Sequence, residues 1–469
     1  MSIGLFGTLG MAARALQTQQ AGIEVAGHNL SNVNNPAYAR QRLSVATSTP
    51  VVTDVGMQGT GVQATGVQQI RSQLLDDQIQ SETSVSSYWN AQQQALQFAQ
   101  AGLGEQIDST TTSDGSSTQQ GIAQSLSDLF SEFQNLSTQP TSLAERQVLL
   151  MKAATLADQF NQVSQRLDAL RASLNSSVQT DVTNANQLLG DIANLNNQII
   201  TSEISSGLTA NDLRDLRQQK IEDLAQLTNV SVTQQANGGV NLTIGGVLMV
   251  SDQNVLDTLQ ADDAGGGQWL VKAATAGTTL ALTGGSIAGE IDARDGPVAT
   301  LAAGVDQLAS LLIGKVNSIH ADGYSLTGSS HEDFFTGADA HTIGVNPVLL
   351  NNPALVQASG TDGAVGDNAV ALALAQLGTQ AQTALNNQTF SQAYNQSVAA
   401  IGQSLASANS QVSNQQTVQQ MLEQQRSSVS GVSIDEEMAS LSIFQHAYEA
   451  SARLMSVVDQ MLDALVNIQ

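Results

Sequence analysis

The stretch GHNLSNVNNPAYARQR, residues 27–42, decides how this chain is organised. Before it, residues recur at alternating steps of four and three, which is the spacing of a heptad seam on a helix. These positions are Leu5, Leu9, Ala12, Leu16, Gln19, Ile23, Ala26 and Leu30. Within the stretch, asparagines favour a turn and Pro36 disfavours the α region for the residue before it. The pattern therefore predicts an N-terminal helix that ends at Asn34, Asn35 and Pro36.

The other end of the chain carries a matching pattern in SGVSIDEEMASLSIFQHAYEASARLMSVVDQMLDALVNIQ, residues 430–469. Ser433 and Glu436 have the spacing of a capping box. Apolar residues then recur every seven positions at Ile434, Leu441, Tyr448, Met455 and Leu462, with an adjacent row at Phe444, Val458 and Leu465. Because a lone helix with few charges is marginal in water, each end needs a partner. The pattern leaves three partners open. Each end could pack against the other end of the same chain, against the same helix pair on neighbouring copies, or against the middle of the chain as part of an ordinary core.

Composition excludes several classes of protein. A length of 469 residues predicts two to four domains, since single cores stop growing near about 250–300 residues. A net charge of −25 disfavours binding to nucleic acid and to anionic lipid. The absence of cysteine excludes disulfides and thiolate chemistry. The N-terminus lacks a basic region and no run approaches eighteen apolar residues, so neither a cleaved signal peptide nor a membrane span is expected.

In the middle of the chain, the spacing of apolar residues alternates between a helical and a strand-like period. A strand or hairpin pattern over 42–70 is followed by helical patterns over about 69–103, 121–139, 142–200 with breaks, 211–227, 297–320 and 368–430. A Ser/Thr-rich loop is expected over 108–121. Two alternating runs flank Asn237 and Gly238, which predicts a hairpin, and strand-like sequence continues to about Gly289.

The fold class expected from these patterns is α+β, mainly α, elongated and divided into several domains. The terminal heptad helices, 1–35 and 433–469, would pair as an inner domain. An α-helical bundle domain would be built from 36–228 and 297–432, with a small β-rich domain, 229–296, inserted as an outer part.

Residues suited to catalysis or metal binding are sparse. His331 and Glu332 resemble the start of a zinc-protease motif, but the position of the second histidine is Phe335. The acidic pairs that could serve in acid–base chemistry, Asp76 with Asp77 and those within Asp435 to Glu437, fit solvated faces and helix caps better. Arg40, Arg42 and Arg71 are too few for a nucleic-acid surface. We therefore expect no enzyme activity, no cofactor and no metal.

The two ends resemble a known family. The stretch GHNLSNVNNPAYARQR resembles the N-terminal motif of bacterial flagellar rod, hook and hook-associated proteins, and GVSIDEEMASLSIFQHAYEASARLMSVVDQMLDALVNI resembles the matching C-terminal motif. The internal stretches ERQVLLMKAATLADQFNQVSQRL, NDLRDLRQQKIEDLAQLTNVSV, GGSIAGEIDARD and DFFTG are most similar to the hook-associated members that join hook and filament.

The resemblance implies a structural axial component of the bacterial flagellum, an adaptor at the hook–filament junction. It implies export to the extracellular flagellum by a type III apparatus without a cleaved signal peptide. The implied partners are further copies in a helical ring, the hook protein, the second hook–filament junction protein and an export chaperone at the C-terminal region, with no nucleic acid and no membrane. Another axial component, such as the hook protein or the second junction protein, stays open, and so does a secreted adhesin or an enzyme-bearing flagellin.

The resemblance also implies site residues. The assembly interface would be formed by Leu5, Leu9, Leu16, Ile23, Leu30, Ile434, Leu441, Phe444, Tyr448, Met455, Val458, Leu462 and Leu465. The exit from the inner domain would be shaped by Asn29, Asn32, Asn35 and Pro36. Both ends would become ordered when copies stack.

Overall fold

The N-terminal helix is shorter than its sequence pattern suggests. The computed structural model describes residues 4–54, 56–104, 121–265 and 267–467, and in it helix α1 spans Leu5–Ser31. Its end comes before the expected Asn34, because the side chain of Asn32 donates to the carbonyl of His28 at 3.1 Å and closes the last turn. The chain then turns, with the amide of Asn35 donating to the carbonyl of Asn32.

A β-hairpin follows the turn, as the strand or hairpin pattern predicts. Strand β1 (Gln41–Thr47) pairs antiparallel with β4 (Val62–Gln69), and β2 (Val51–Thr53) pairs with β3 (Gly56–Gln58) nearer the tip. We call 41–69 the β arm. It lies along α1, where the guanidinium of Arg14 donates to the carbonyl of Thr60 at 2.7 Å.

Four helices form the first part of the body. They are α2 (Gln73–Gly102), α3 (Ile122–Thr138), α4 (Leu143–Ser206) and α5 (Asn211–Leu227). Helix α4 begins where the capping pattern predicts, with the amide of Glu145 donating to Ser142 Oγ at 3.3 Å. The expected breaks in it are wrong, because its buried residues keep helical spacing as far as Ile199. The predicted loop over 108–121 lies, apart from Gly121, outside the described residues.

The β-rich segment ends earlier than its composition indicates. One four-stranded sheet has the order β5 (Val230–Gln234), β6 (Val240–Ile244), β7 (Val247–Ser251) and β8 (Asn254–Val255), and β9 (Leu259–Gly265) pairs with β10 (Gln268–Ala273). The expected turn at Asn237 and Gly238 is present. The expected strand to Gly289 is wrong. Gly285, at φ +82° and against the backbone of Leu227, instead starts helix α6 (Gly285–Ala293).

Helix α6 continues through a π-helical turn, Arg294–Val298, into α7 (Ala299–Ala321), so the helix expected from Pro297 starts earlier. By length and composition alone the segment Gly285–Ala321 could cross a membrane. One side of α7 packs into the protein core through Leu301, Val305, Leu308, Leu312 and Val316. The sequence predicts no membrane span because no run approaches eighteen apolar residues. That expectation stays a prediction.

The remaining elements are β11 (Phe335–Thr336), β12 (Gly344–Val345), α8 (Pro347–Asn351), α9 (Ala369–Leu377), α10 (Phe390–Ser430) and α11 (Ile434–Val466). Helices α9 and α10 agree with the helical pattern over 368–430, and the amide of Glu436 approaches Ser433 Oγ at 3.5 Å at the start of α11.

Two large apolar cores lie side by side along α4. One joins the first half of α4 to α3, α7, α9 and the first half of α10. The other joins the second half of α4 and α5 to β6, β7, β9 and β10. The β-rich segment therefore shares its core with helices that precede it in the chain. The predicted domain boundaries stay a prediction.

Candidate functional site

Helices α1 and α11 pack against each other in antiparallel directions. The side chain of Asn29 donates to Glu437 Oε2 at 3.0 Å, and seven residues earlier Gly22 faces Phe444, seven residues after Glu437. A methyl group on Gly22 would lie 2.6 Å from the Phe444 ring. The absence of a side chain at this position therefore lets the two helices approach closely.

The residues that α1 buries have small or polar side chains. They are Ala12, Thr18, Gly22, Ala26 and Asn29. The large residues proposed from the heptad are all only partly buried; they are Leu5, Leu9, Leu16, Ile23 and Leu30. Close approach is thus shown at Gly22, whereas the large residues of the predicted seam keep part of their surface exposed.

The proposed residues of α11 divide into two groups. Val458 is buried, and four others are partly buried: Leu441, Phe444, Met455 and Leu462. Three are exposed instead: Ile434 to 53%, Tyr448 to 39% and Leu465 to 61%. Burial is therefore uneven along the predicted seam, because Tyr448 in its middle stays exposed as well as Ile434 and Leu465 at its ends.

A second apolar row runs along α11, about a quarter turn around the helix from the seam, given 100° per residue. We call this row the outer stripe. Its members are Ile443, Leu454, Val457, Met461 and Leu465, and they are 41–66% exposed. A helix with two apolar rows has room for two partners.

Asn29 connects the helix pair to the rest of the molecule. Its Oδ1 atom accepts from Tyr38 Oη at 2.8 Å and from the amide of Gln41 at 2.9 Å. Its Nδ2 atom donates to the carbonyl of Gln41 at 2.8 Å and to Glu437. The Nε atom of Arg40 donates to Glu437 Oε1 at 2.7 Å. Asn29 is only 1% exposed, and every polar atom of its side chain thus has a hydrogen-bond partner.

A second buried group adjoins this network. Asp215 Oδ2 accepts from the amide of Ala39 at 3.2 Å, and its Oδ1 accepts from Arg71 at 2.6 Å. Burial raises the pKa of Asp215 to about 6, although the Arg71 guanidinium opposes the shift. Arg71 also donates to Asp76 at 2.6 Å. The carboxylate of Asp76, considered above for acid–base chemistry, is therefore occupied by an ion pair.

The exit turn differs in role from residue to residue. Asn32 closes α1, Asn35 Oδ1 accepts from the amide of Ala37 at 3.2 Å, and Pro36 is exposed. Tyr38, Arg40 and Gln41 also belong to the junction, and sequence reasoning did not single out their contacts. The sequence feature that could have identified these residues is their position directly after the turn, inside the motif GHNLSNVNNPAYARQR.

No group of three or more His, Asp or Glu side chains able to hold a metal occurs in the part of the chain that the structure describes. His320 is buried, with Nε2 accepting from the amide of Gln357 at 2.9 Å and Nδ1 2.6 Å from the carbonyl of Glu332. Burial lowers its pKa to about 4. These contacts describe a neutral core histidine.

Two protein families match parts of the sequence. The family described as flagellar hook-associated protein FlgK helical domain matches residues 105–335. The family described as flagellar basal body rod FlgEFG protein C-terminal matches residues 418–468, which include all of α11.

Relatives match nearly the whole chain along nearly their own whole length. Flagellar hook-associated protein 1 of Bacillus subtilis is 28% identical over 97% of this chain and 97% of its own length. The protein of the same name from Escherichia coli is 24% identical over 98% and 99%. The solved flagellar hook junction protein FlgK of Burkholderia pseudomallei has a similar fold, with a TM-score of 0.63, 16% identity and coverage of 76% of this chain and 100% of its own.

These comparisons confirm the resemblance to the axial proteins of the bacterial flagellum, in which the C-terminal motif is shared with rod proteins. Within that class the chain resembles flagellar hook-associated protein 1.

Proposed function

We propose that this chain is a structural axial component of the bacterial flagellum, a junction adaptor between hook and filament, and that its copies assemble through the paired helices α1 and α11. The comparisons indicate a hook–filament junction component and do not favour a hook protein, the second junction protein or an adhesin. The site of action would be the extracellular flagellum, reached by export without a cleaved signal peptide.

The observation that carries the mode of assembly is the outer stripe. Its five residues are 41–66% exposed in the structure. Since complete burial of such a side chain contributes about 1.5–3 kcal/mol, covering the part that is still exposed would contribute a fraction of that per residue. A partner on this stripe would therefore stabilise the helix pair further, which fits ends that become ordered when copies stack.

The proposed partners are further copies in a helical ring, the hook protein, the second junction protein and an export chaperone at the C-terminal region. The relatives are structural flagellar proteins, and we extend this to an absence of catalysis here. The ion pairs of Asp76 and Glu437 and the buried His320 support that extension, since each of these side chains already has a structural partner. The activity test is hydrolysis by the purified protein, with His331→Ala as the control.

The experiment on assembly removes either end. Chains lacking residues 1–35 or 435–469 should be absent from isolated flagella, and their bodies should unfold at nearly the temperature of the full chain, because both cores lie outside these ends. Incorporation of either shortened chain would contradict the proposal. Cryo-electron microscopy of a tagged full chain should show one narrow band between hook and filament, whereas a hook protein would label the whole hook.

A finer test changes the outer stripe alone. Leu454→Asp with Met461→Asp should prevent incorporation, because both charges would be buried in the assembly without a partner. Phe98→Asp is the matched control, since Phe98 is 66% exposed on α2 and lies outside the helix pair. Equal incorporation of both variants would contradict a role for the stripe.

A further inference from the structure

One turn of the β-rich segment carries a chemically reactive pair of residues. Asn237 is followed by Gly238, and no other asparagine of the 469-residue sequence precedes a glycine. The pair lies in the turn between strands β5 and β6, and Asn237 is exposed there. The backbone nitrogen that follows an asparagine can attack the side-chain carbonyl carbon when no side chain blocks its path. Glycine, which has no side chain, leaves that path open.

Hydrogen bonds hold the Asn237 side chain close to the backbone that follows it. Its Oδ1 atom accepts from the amide of Gly239 at 3.0 Å, and its Nδ2 atom donates to Asp252 Oδ1 at 3.0 Å. The first bond reaches past Gly238, so the side-chain carbonyl lies beside the peptide that joins Asn237 to Gly238. The same bond would stabilise the negative charge that develops on Oδ1 when the carbon is attacked. The turn is therefore arranged for that reaction.

One hydrogen bond opposes the reaction. The amide of Gly238 donates to the carbonyl of Gln235 at 3.1 Å, and this bond must open before the nitrogen can attack. Hydrogen bonds in exposed turns open more readily than those in buried helices and strands. The reaction at Asn237 should therefore be slow, but faster than at asparagines that precede a residue with a side chain.

The fold requires glycine at this position. Gly238 has φ +88°, which residues with a side chain rarely adopt, and a methyl group on it would collide with the carboxylate of Glu203 near the end of α4. The carbonyl of Gly238 also accepts from Arg217 of α5 at 2.7 Å. The turn is thus seated against α4 and α5, and the residue that makes it reactive is the one that lets it sit there.

We propose that Asn237 is a site of spontaneous deamidation, which weakens the seating of this turn. The nitrogen of Gly238 bonds to the side-chain carbonyl carbon of Asn237 and gives up its proton. The bond from that carbon to Nδ2 breaks, the nitrogen takes up a proton and leaves as ammonia, and a succinimide ring remains. One water molecule then opens the ring at either carbonyl, which leaves aspartate or isoaspartate at this position. The inference does not depend on the proposed junction role.

The product changes the charge of the turn. In the aspartate form, the new carboxylate stands where Nδ2 donated to Asp252, so a hydrogen bond becomes a contact between two negative charges. The backbone of Asp252 is fixed, because its amide donates to Asn241 Oδ1 at 3.0 Å and its carbonyl accepts from Asn196 of α4. The repulsion therefore acts on the turn, which should loosen from α4 and α5.

Mass spectrometry of the aged full chain tests the site. Trypsin cuts after Lys220 and Lys272 and so releases Asn237 and Asn241 in one peptide. After storage of the folded protein in mildly alkaline buffer, fragment ions should show the exchange of ammonia for water at Asn237. Asn241, which precedes Leu242, is the internal control and should stay unchanged. Conversion of Asn237 that is no faster than that of Asn241 would overturn the proposed site.

A pair of variants tests the effect on the turn. Asn237→Asp should increase hydrogen exchange in β5, β6 and the turn between them, while exchange in α3 stays slow. Adding Asp252→Asn should restore slow exchange, because an amide then faces the new carboxylate from the other side. Asn237→Asp with Asp459→Asn is the matched control, since it removes an exposed charge on α11 instead and should not restore it. Unchanged exchange in Asn237→Asp, or equal rescue by both second substitutions, would overturn the weakened seating.

Discussion

Helices α4 and α11 are both long, but they are stabilised in different ways. Helix α4 has 64 residues and buries 18 of them within the chain. Helix α11 has 33 residues, of which only Glu437 and Val458 are buried. Local stability follows the number of buried contacts, so the two helices should open with very different free energies. The body has the buried contacts to fold alone, whereas the terminal pair has few, which is why we propose that neighbouring copies complete it.

The largest expected effect removes a core side chain of α4. Phe160→Ala should lower the free energy of unfolding by about 3–5 kcal/mol, because Phe160 is fully buried and its loss leaves a cavity. Urea unfolding followed by circular dichroism measures the change. The control Phe98→Ala, at an exposed position, should stay within about 0.5 kcal/mol. Equal effects would mean that the body does not depend on this core.

The second prediction concerns pH. Burial raises the pKa of Glu290, on α6, to about 7, and the carboxylate of Asp181 adds to the shift. Ser177 Oγ donates to Glu290 Oε1 at 2.5 Å and lowers the pKa somewhat. Since the folded state holds this proton more tightly than the unfolded state, stability at this site falls as pH rises from about 4.5 through 7.

Glu290→Gln removes the charge at every pH. The variant should therefore gain stability relative to the unmodified chain as pH rises from 5 to 8, by roughly 1–3 kcal/mol at the upper end. Melting temperatures across this range measure the gap. Glu449→Gln, at an exposed position on α11, is the control for the substitution itself. A constant gap for Glu290→Gln would contradict the assigned burial of its charge.

The most local effect is expected at Asn29. Asn29→Ala leaves the amide of Gln41 and one oxygen of Glu437 without their partner, at a cost of roughly 1–3 kcal/mol. The cost should appear as faster hydrogen exchange in α1 and α11, while exchange in α4 stays slow. Asn32→Ala is the control, because Asn32 bonds only within its own helix end. Faster exchange in α4 with Asn29→Ala would remove the distinction between body and ends.

Much of the fold could be predicted from local patterns. The start of α4 followed from Ser142 and Glu145, and the hairpin followed from Asn237 and Gly238, because caps and turns are set by neighbouring residues. The strand-like reading up to Gly289 failed because glycine-rich sequence fits both strand and turn. What decides there is the backbone of Leu227 pressed against Gly285, a contact between residues far apart in the chain.

The site was predicted less completely, for a similar reason. The heptad pattern identified both helices. The rotation of each helix about its own axis, however, depends on what else packs against it. The β arm and the Asn29 hydrogen bonds also act on α1, and Gly22 and Asn29 are the residues of α1 that face α11. Asn29 was predicted to shape a turn, but Tyr38, Gln41 and Glu437 surround it inside the protein. Hydrogen bonds across about 400 positions of sequence leave no periodic signal.

The length of α4 has a mechanical consequence. At 1.5 Å per residue its 64 residues extend about 96 Å, and both cores attach to it along that length. Its last turns reach the junction: Glu203 binds Arg214 of α5 at 2.7 Å, and α5 carries Asp215, which accepts from the amide of Ala39. A twist applied at the helix pair would therefore be transmitted to both cores along one continuous helix. The two cores should turn together, since α4 runs unbroken from one into the other.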